Sequence, residues 1–276
     1  MSDSPETTGQ QPTEAITKTE LVTDLVRPRG RYGVDGNYGL IPAPVVFAGY
    51  LLLCLAAAVL AGLWLVTDRT LSGLGAAVVA VLLIAAGVSV RRFSRRGKFE
   101  VWARLLTGIG LRGDERVLDL GCGRGAVLLT AAKLVPRGTA VGVDIWRADQ
   151  TGNSMQATLA NAAAEGVADR VELHTQDMTD LRFPSASFDL VVSNLAIHNL
   201  PDDDARRSAL DEAVRVLRPG GHVVIADLAF TRLYANRFRQ SGMADVRRQD
   251  LGWRAWWGLP FFRTHAVTAT KPGPMR

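Results

Sequence analysis

The chain has 276 residues, of which 47% are hydrophobic and 21% charged, and its mean hydropathy is +0.09. This composition excludes a fully disordered chain, a collagen-like repeat and, because only two cysteines are present, a disulfide-rich scaffold. The net charge is +5 and the pI about 9.6, but the basic residues cluster beside apolar segments instead of covering one folded surface. We therefore expect no nucleic-acid partner.

The N-terminal region is polar. Residues 1–30 are rich in threonine, glutamate, glutamine, serine and proline, and they predict a disordered cytoplasmic tail. Residues 31–42 (RYGVDGNYGLIP) carry glycine and asparagine at a spacing typical of a shaped loop at a membrane surface, although a plain linker fits equally well. A cleaved signal peptide is not expected, because the first apolar run begins only after this polar leader.

Two long segments without a formal charge follow, at residues 44–66 and 71–90. At about 1.5 Å per residue, the first would form a helix about 35 Å long, enough to cross a hydrocarbon core of about 30 Å. Because only residues 67–70 separate the segments, residues 31–97 predict a transmembrane helical hairpin in a lipid bilayer. A buried hairpin of a soluble protein is the alternative, but soluble helices seldom lack charge on every face.

Basic residues flank this hairpin, and its loop carries only one acid and one base. The flanking residues are Arg27, Arg29, Arg31, Arg91, Arg92, Arg95, Arg96 and Lys98. Since positive flanks stay in the cytoplasm, we expect a multi-pass protein of the cell (inner) membrane with both termini, and the domain that follows, in the cytoplasm. Gly73, Gly75 and Gly87 would let the second helix approach either the first helix or a second copy, as in a homo-oligomer.

Residues 98–276 alternate helical and strand patterns, which predicts an α/β domain with a parallel sheet and helices on both faces. Strands are predicted at residues 116–120, 139–145, 171–175, 188–193 and 222–228. Helices are predicted at residues 99–109, up to about 134, at 153–165 and at 203–217. After Tyr234 there is room for one more helix and a final antiparallel pair of strands.

The turn after the first predicted strand carries the main chemical signal (VLDLGCGRG, residues 117–125). Gly121, Gly123 and Gly125 allow a ligand to approach the backbone closely, and the next helix presents its unpaired N–H groups to that ligand. Asp144 ends the following strand (AVGVDIW), where a carboxylate can accept both hydroxyls of a ribose. Taken alone, this pattern would also suit a nucleotide-cofactor oxidoreductase.

Asp119 distinguishes the two ligand classes. An acid two residues before the first glycine would repel a pyrophosphate but attract the ammonium group of S-adenosylmethionine, which also carries a ribose and an adenine and no phosphate. With VGVDIW, HTQDMTDLRFPSASFDLVVSNLAIHNL and LRPGGHVVIADL further along, the turn resembles the class I S-adenosylmethionine-dependent methyltransferases over about residues 98–272. The resemblance implies their seven-stranded Rossmann-like fold and S-adenosyl-L-methionine as the cofactor.

The resemblance also implies a role for each matching residue. Asp119 and the three glycines of the turn would hold the methionine end of the cofactor. Asp144 would bind the ribose hydroxyls. Ile145 or Trp146 would lie against the adenine, with core packing as the alternative for Trp146.

Further along the chain, Asp177 would accept a hydrogen bond from the adenine amino group, and the alternative is a helix cap or turn former. The Met178 backbone amide would lie near the adenine ring. Ser193, Asn194 and Leu195, at the end of the fourth strand, would border the methyl group, and Asn194 is a candidate catalytic residue.

Methyl transfer from a sulfonium is an in-line displacement, so the protein mainly positions the acceptor and excludes water. A base is required only where the acceptor loses a proton, and His198 is the candidate, with a hydrogen-bonding loop histidine as the alternative. The other three histidines are expected to be structural. Cys122 is expected to be a spacer in the turn. Because it is the only cysteine outside the apolar segments, a thiol-dependent arsenic methyltransferase is disfavoured. The sequence has no cysteine and histidine cluster with the spacing of a metal site.

Two features favour a hydrophobic acceptor, such as a lipid, an isoprenoid quinone or an apolar small molecule. The α/β domain begins within about eight residues of the second apolar segment, which would keep its pocket near the bilayer. Residues 253–262 (WRAWWGLPFF) hold three of the six tryptophans, a residue type that favours the membrane–water interface. This segment could form a hydrophobic lid together with residues 31–42. The alternative is that its aromatic side chains pack in the core. The alternatives are a soluble acceptor with the anchor serving only location, an oxidoreductase, and a non-catalytic binding module.

Overall fold

A computed structural model describes residues 18–33, 43–67, 69–147, 152–256 and 263–273. The helices are α1 (Lys18–Val26), α2 (Ala43–Val66), α3 (Thr70–Arg92), α4 (Lys98–Ile109), α5 (Ala126–Leu134), α6 (Met155–Glu165), α7 (Asp203–Val216) and α8 (Thr231–Gln240). The strands are β1 (Arg116–Leu120), β2 (Thr139–Asp144), β3 (Val171–Thr175), β4 (Phe188–Asn194), β5 (Leu217–Asp227), β6 (Ala244–Asp250) and β7 (His265–Thr270).

The seven strands form one sheet in the order β3-β2-β1-β4-β5-β7-β6. The first five strands pair in parallel, and β7 runs antiparallel between β5 and β6. The predicted Rossmann-like α/β architecture is therefore confirmed. β5 begins at Leu217 instead of His222, because Leu217 already pairs with Phe188 ahead of a register shift. Likewise, α8 begins at Thr231, before the expected position.

Helices cover both faces of the sheet, and β1 shows how. Val117 packs with α4 and α5, whereas Leu118 and Leu120 pack on the other face with α7 and α8. The side chains alternate in this way because successive residues of a strand point to opposite faces. Since parallel strands end at the same edge, the carboxyl ends of β1, β2, β4 and β5 lie side by side, and the candidate site lies there.

The two apolar segments form helices that are long and apolar enough to cross a membrane, by length and composition. The second does not end at residue 90 as predicted. It continues through a π-helical turn (Phe93–Gly97) into α4, so one uninterrupted helix runs from Thr70 to Ile109. An apolar helix is thereby joined directly to the α/β domain. Asp68, in the loop between α2 and α3, lies outside the described residues.

Two of the three glycines predicted to contact another helix face α2 of the same chain. A Cβ added at Gly73 would lie 2.6 Å from Cγ of Leu65, and one at Gly87 would lie 2.8 Å from Cε1 of Tyr50. The Tyr50 hydroxyl also donates to the backbone oxygen of Leu83 in α3. Gly75 has open space around it. These close approaches belong to the hairpin itself, and a contact with a second copy stays a prediction.

The predicted disordered tail over residues 1–30 is wrong for residues 18–30. Residues 18–26 form α1, and Leu25 is 1% exposed. Tyr32, which we assigned to a hairpin unit over residues 31–97, is buried in a core cluster with Phe99 and Leu128 of the α/β domain. The prediction of disorder rested on composition, which carries no information on contacts with residues more than a hundred positions away in the chain. Residues 1–17 and 34–42 lie outside the described residues.

Candidate functional site

The glycine turn between β1 and α5 is held against the end of β2. The backbone N–H groups of Gly121 and Cys122 both donate to the Val143 carbonyl oxygen, at 2.9 and 3.1 Å. Gly121 has φ +70°, and a Cβ there would lie 2.4 Å from Cβ of Ala196, so a larger residue is excluded by both backbone conformation and space. Gly125, with φ +83°, immediately precedes α5. The turn therefore presents backbone and the start of a helix to the sheet edge, as predicted.

Asp119 lies at the head of this turn and is 1% exposed. Its Oδ1 atom has no hydrogen-bond partner among the described residues. Burial raises the pKa of the Asp119 carboxyl to about 8, the Leu128 backbone offsets part of this effect, and the charge of Asp144 adds to it. A buried carboxylate oxygen without a partner is costly, and an ammonium group from a ligand would satisfy Oδ1. The donor set therefore fits the amino group of S-adenosylmethionine.

Asp144 ends β2 and organises the backbone around it. Its Oδ2 accepts from the N–H of Gly123 at 2.8 Å, and its Oδ1 accepts from the N–H of Trp146 at 2.6 Å. The Asn153 amide lies 3.4 Å from the same Oδ1. Because each carboxylate oxygen can accept two hydrogen bonds, Oδ2 has capacity for one hydroxyl of a ribose, and a second hydroxyl would have to replace the long contact from Asn153 at Oδ1. That role stays a prediction.

The residues predicted around the adenine divide into two groups. Ile145 is 39% exposed beside Asp144, as an adenine contact requires. Trp146 is partly buried against the cluster that contains Cys122 and Leu128, and its Nε1 donates to Oγ1 of Thr175 at 2.8 Å, which favours the core-packing alternative. Its φ of +57° is unusual for a bulky residue, and such strain is concentrated at functional sites.

Asp177 is exposed and caps a turn. Its Oδ1 accepts from the backbone N–H and from the hydroxyl of Thr179, at 2.9 and 2.8 Å. This is the turn-forming alternative, so an adenine contact would have to use the other oxygen. The Met178 side chain lies over the glycine turn, with its Cε 3.2 Å from where a Gly121 Cβ would be.

Ser193 and Asn194, at the end of β4, point to different partners. Ser193 is fully buried and its hydroxyl donates to the Leu120 carbonyl oxygen at 2.8 Å, so it ties β4 to β1 and our expectation that it borders the methyl group is not supported. Asn194 is partly exposed, and its Oδ1 accepts from Nε1 of the buried Trp102 in α4 at 2.9 Å. Leu195 follows with φ +53°.

Sequence reasoning missed the partners of His198. Nδ1 of His198 lies 2.5 Å from Oδ1 of Asp227, a fully buried residue at the end of β5. The other oxygen, Oδ2, accepts from the His198 backbone N–H at 3.1 Å and from the Tyr234 hydroxyl at 3.2 Å. Burial and the Asp227 charge raise the pKa of Tyr234. An acid at the carboxyl end of the strand beside β4 was a usable signal, because neighbouring parallel strands end together.

The imidazole of His198 is therefore oriented by a carboxylate. Nδ1 faces the Asp227 carboxylate at ion-pair distance, and Nε2 is the ring nitrogen left to accept a proton when Nδ1 carries one. The side chain remains 24% exposed. The Arg206 guanidinium stabilises the loop after β4 by donating hydrogen bonds to the carbonyl oxygens of His198 and Leu200.

The class of domain follows from comparison with known proteins. Residues 117–221 match the family model described as a methyltransferase domain. The nocamycin O-methyltransferase of Saccharothrix syringae is 39% identical over 121 residues, which cover 44% of this chain and 40% of that protein. The demethylmenaquinone methyltransferase of Symbiobacterium thermophilum is 32% identical over 130 residues, covering 46% of this chain and 49% of that one. The chain therefore spans less than half the length of these relatives.

Solved structures agree on the fold. The geranyl diphosphate C-methyltransferase from Streptomyces coelicolor A3(2) is 16% identical with a TM-score of 0.52, covering 66% of this chain and 83% of that chain. The cyclase SpnF is 18% identical with a TM-score of 0.51, covering 62% and 82%. At these identities the likeness shows the fold alone. Together with the family match, this indicates that residues 117–221 form a methyltransferase domain, and the residues around the glycine turn fit S-adenosylmethionine as its cofactor.

Proposed function

We propose that this chain is a membrane-anchored methyltransferase that transfers a methyl group from S-adenosylmethionine to a hydrophobic acceptor. One observation carries the proposal: a single helix runs from the apolar segment at Thr70 to Ile109, inside the α/β domain. In its second half, Trp102 bonds to Asn194, which we expect beside the methyl group. The anchor is thus part of the wall of the candidate site, which favours a role beyond location.

The apolar helices support a bilayer as their surroundings. α2 has 24 residues and α3 has 23, so each is about 35 Å long at about 1.5 Å per residue. Many of their large apolar side chains are exposed, among them Leu51 at 68%, Leu52 at 65% and Leu71 at 87%. A patch of this size is unfavourable in water and is covered by lipid in our proposal. In this proposal both termini and the domain lie in the cytoplasm, because positively charged flanks favour that side of a membrane.

A tryptophan between two arginines marks the end of the apolar helix. Trp253 is 51% exposed, and the guanidinium groups of Arg92 and Arg254 lie 4.4 and 4.6 Å from its ring centre. Both arginines also pair with Glu100, at 3.6 and 3.0 Å. An amphipathic aromatic ring beside cations suits the membrane–water interface. Residues 257–262 of the predicted lid lie outside the described residues.

An apolar cluster leads from this point towards the candidate site. Phe93 of the π-helical turn, Val101 of α4 and Ala255 form its buried core, and Leu195 packs against it. A side chain predicted beside the methyl group is therefore in one cluster with the end of the apolar helix. This continuity supports a hydrophobic acceptor that arrives from the bilayer. Relatives named for demethylmenaquinone and 27-O-demethylrifamycin SV are compatible with that class.

Different residues of the chain would bind the cofactor and accept the proton of the acceptor. When bound, the cofactor supplies an electrophilic methyl group on a sulfonium, so the protein mainly binds, orients and excludes water. Asp119 would hold the amino group and Asp144 the ribose. Where the acceptor is a hydroxyl, Nε2 of His198 would take its proton, while Asp227 holds the ring at Nδ1.

The test uses the full chain in lipid nanodiscs with methyl-labelled S-adenosylmethionine. The protein is offered a lipid extract and a polar metabolite extract from the same cells, with Asp119→Asn as the matched inactive control. We expect label in the lipid fraction only. Label confined to the polar fraction would instead favour the soluble-acceptor alternative. Binding of NAD(P) without binding of S-adenosylmethionine, measured by calorimetry, would overturn the methyltransferase function.

A further inference from the structure

Residues 27–33, which we name the strap, lie between α1 and the first apolar helix and bind to a buried carboxylate. Glu165 at the end of α6 is 5% exposed. Its Oε1 accepts from the backbone N–H groups of Arg29 and Gly30, at 2.8 and 2.9 Å, and from the Tyr32 hydroxyl at 2.8 Å. Its Oε2 pairs with Nζ of Lys133 at 2.8 Å. These donors hold the pKa of Glu165 below its ordinary value, although burial opposes them.

The same face of α6 contacts the glycine turn. Asn161 accepts from the Arg31 N–H at 2.7 Å and donates to the carbonyl oxygens of Arg31 and Arg124, at 3.2 and 2.9 Å. Thr158 donates to the carbonyl oxygen of Gly123 at 2.6 Å. Positions 158, 161 and 165 lie on one side of a helix, because they are three and four residues apart. One amide side chain therefore bonds the strap and the cofactor turn together.

Aromatic packing holds the strap in the same place. Tyr32 is 6% exposed and meets the ring of Phe99 edge to face, with 5.0 Å between ring centres. It shares a core cluster with Cys122 of the glycine turn and Leu128 of α5. Burial of this aromatic side chain therefore stabilises the docked strap in addition to its hydrogen bonds.

We propose that the strap is a positioning element for the cofactor turn, acting through Asn161 and anchored by Glu165. With the strap docked, the carbonyl of Arg124 is fixed and the Gly123–Gly125 backbone keeps the conformation that accepts the cofactor. The coupling is reciprocal, so a bound cofactor also stabilises the docked strap. The inference rests on the use of this turn for S-adenosylmethionine, and it adds the residues that preorganise the turn.

A glycine in the strap offers a sharp test. A Cβ at Gly30 would lie 2.8 Å from Oδ1 of Asn161 and 3.0 Å from Cε2 of Tyr32, so Gly30→Ala displaces the amide from its partners. Gly108→Ala, on α4 with nothing within 4 Å, is the matched control. In full-length protein we expect Gly30→Ala to raise the Kd for S-adenosylhomocysteine about tenfold. The KM for the acceptor and the Kd of Gly108→Ala should stay at the wild-type values.

Reciprocity gives a second measurement that needs no variant. The amide protons of Arg29, Gly30 and Arg31 donate to Glu165 and Asn161, so their exchange with solvent reports strap docking. We expect saturating S-adenosylhomocysteine to slow this exchange about tenfold in the wild type. An unchanged rate, or a Kd of Gly30→Ala equal to that of Gly108→Ala, would refute the strap's role. If the wild type does not bind S-adenosylhomocysteine at all, the proposed function itself fails.

Discussion

Two buried aspartates at the same edge of the sheet differ in how the chain satisfies them. Asp119, near the end of β1, is 1% exposed, and its Oδ1 has no partner among the described residues. Asp227, at the end of β5, is fully buried and accepts from the N–H of Leu228, the N–H of His198 and the hydroxyl of Tyr234. Oδ1 of Asp119 therefore needs a hydrogen-bond donor from outside the chain, whereas both oxygens of Asp227 already have donors within it.

This difference in hydrogen bonding indicates different roles for the two aspartates, ligand binding for Asp119 and positioning of His198 for Asp227. A buried polar group without a partner is rare in folded proteins and points to a ligand that supplies one. A saturated carboxylate has no capacity left for a ligand, but it fixes the groups that surround it, here the ring of His198. The β1 side therefore has the character of a binding site, and the β5 side has that of a positioning device.

The largest expected effect comes from removing the charge of Asp119. In Asp119→Asn the amide keeps the shape but cannot pair with an ammonium group. We expect the Kd for S-adenosylhomocysteine, measured by calorimetry, to rise about 100-fold or more, because losing one partner of a buried charge pair costs about 2–5 kcal/mol. Without ligand, the Tm should not fall, since the buried unpaired carboxylate is itself unfavourable.

The control for this variant is Asp204→Asn, whose side chain is 92% exposed in the first turn of α7. Its affinity for the cofactor analogue should equal that of the wild type. Tight binding by Asp119→Asn would remove the distinction between the two aspartates.

The second effect concerns turnover and leaves binding unchanged. Asp227→Asn removes the negative charge that lies 2.5 Å from Nδ1 of His198, so the imidazole loses the group that orients it and stabilises its protonated form. With a hydroxyl acceptor, we expect kcat to fall about 100-fold, the usual contribution of a positioned base. The Kd for S-adenosylhomocysteine should stay at the wild-type value.

Tyr234→Phe is the matched control, because it removes one donor to Asp227 and keeps both contacts to His198. Its kcat should fall less than about fivefold, since one hydrogen bond contributes about 1 kcal/mol. If Asp227→Asn weakened cofactor binding as much as turnover, both aspartates would serve the same ligand.

A smaller effect tests the link between the apolar helix and the acceptor side. A Cβ at Gly97 would lie 2.2 Å from the carbonyl oxygen of Arg254. Gly97→Ala should therefore displace the segment that carries Trp253, raise the KM for the acceptor about fivefold and lower the Tm. Gly108→Ala on the same helix should raise the Tm, because alanine favours a helix by about 1 kcal/mol where space allows. Equal changes in both variants would contradict the link.

The sequence predicted the cofactor side well because its signals are local. Asp119 and the glycine turn lie within residues 117–125, and Asp144 ends the next strand along the chain. The acceptor side was incomplete, since the pairing of His198 with Asp227 depends on β4 and β5 being neighbours. Ser193 was assigned to the site by its position in β4, whereas its side chain points to the opposite face from that of Asn194.

The strap shows a different limit of sequence reasoning. Residues 1–30 predict disorder by composition, yet Arg29 and Gly30 bond to Glu165, more than 130 positions away. The anchoring acid is one of many in the sequence, and nothing local distinguishes it. Only the fold reveals that α6 carries Thr158, Asn161 and Glu165 on one face, between the strap and the turn.

The smallest effect is a pH dependence centred on Asp119. Its folded pKa, about 8, exceeds the ordinary value of 3.8, so the folded protein binds more protons than the unfolded chain between these values. The stabilisation from this group is therefore complete below about pH 4 and is lost as the pH rises through about 8. The Tm of the wild type minus that of Asp119→Asn, both without ligand, should fall between pH 5 and pH 9. Groups far from Asp119 that both proteins share cancel in this difference. Asp144 and Cys122 interact with the charge of Asp119, so their response to its removal is part of the measured effect. A difference independent of pH would mean that the Asp119 carboxylate is already satisfied in the folded chain without a ligand, and the contrast between the two aspartates would disappear.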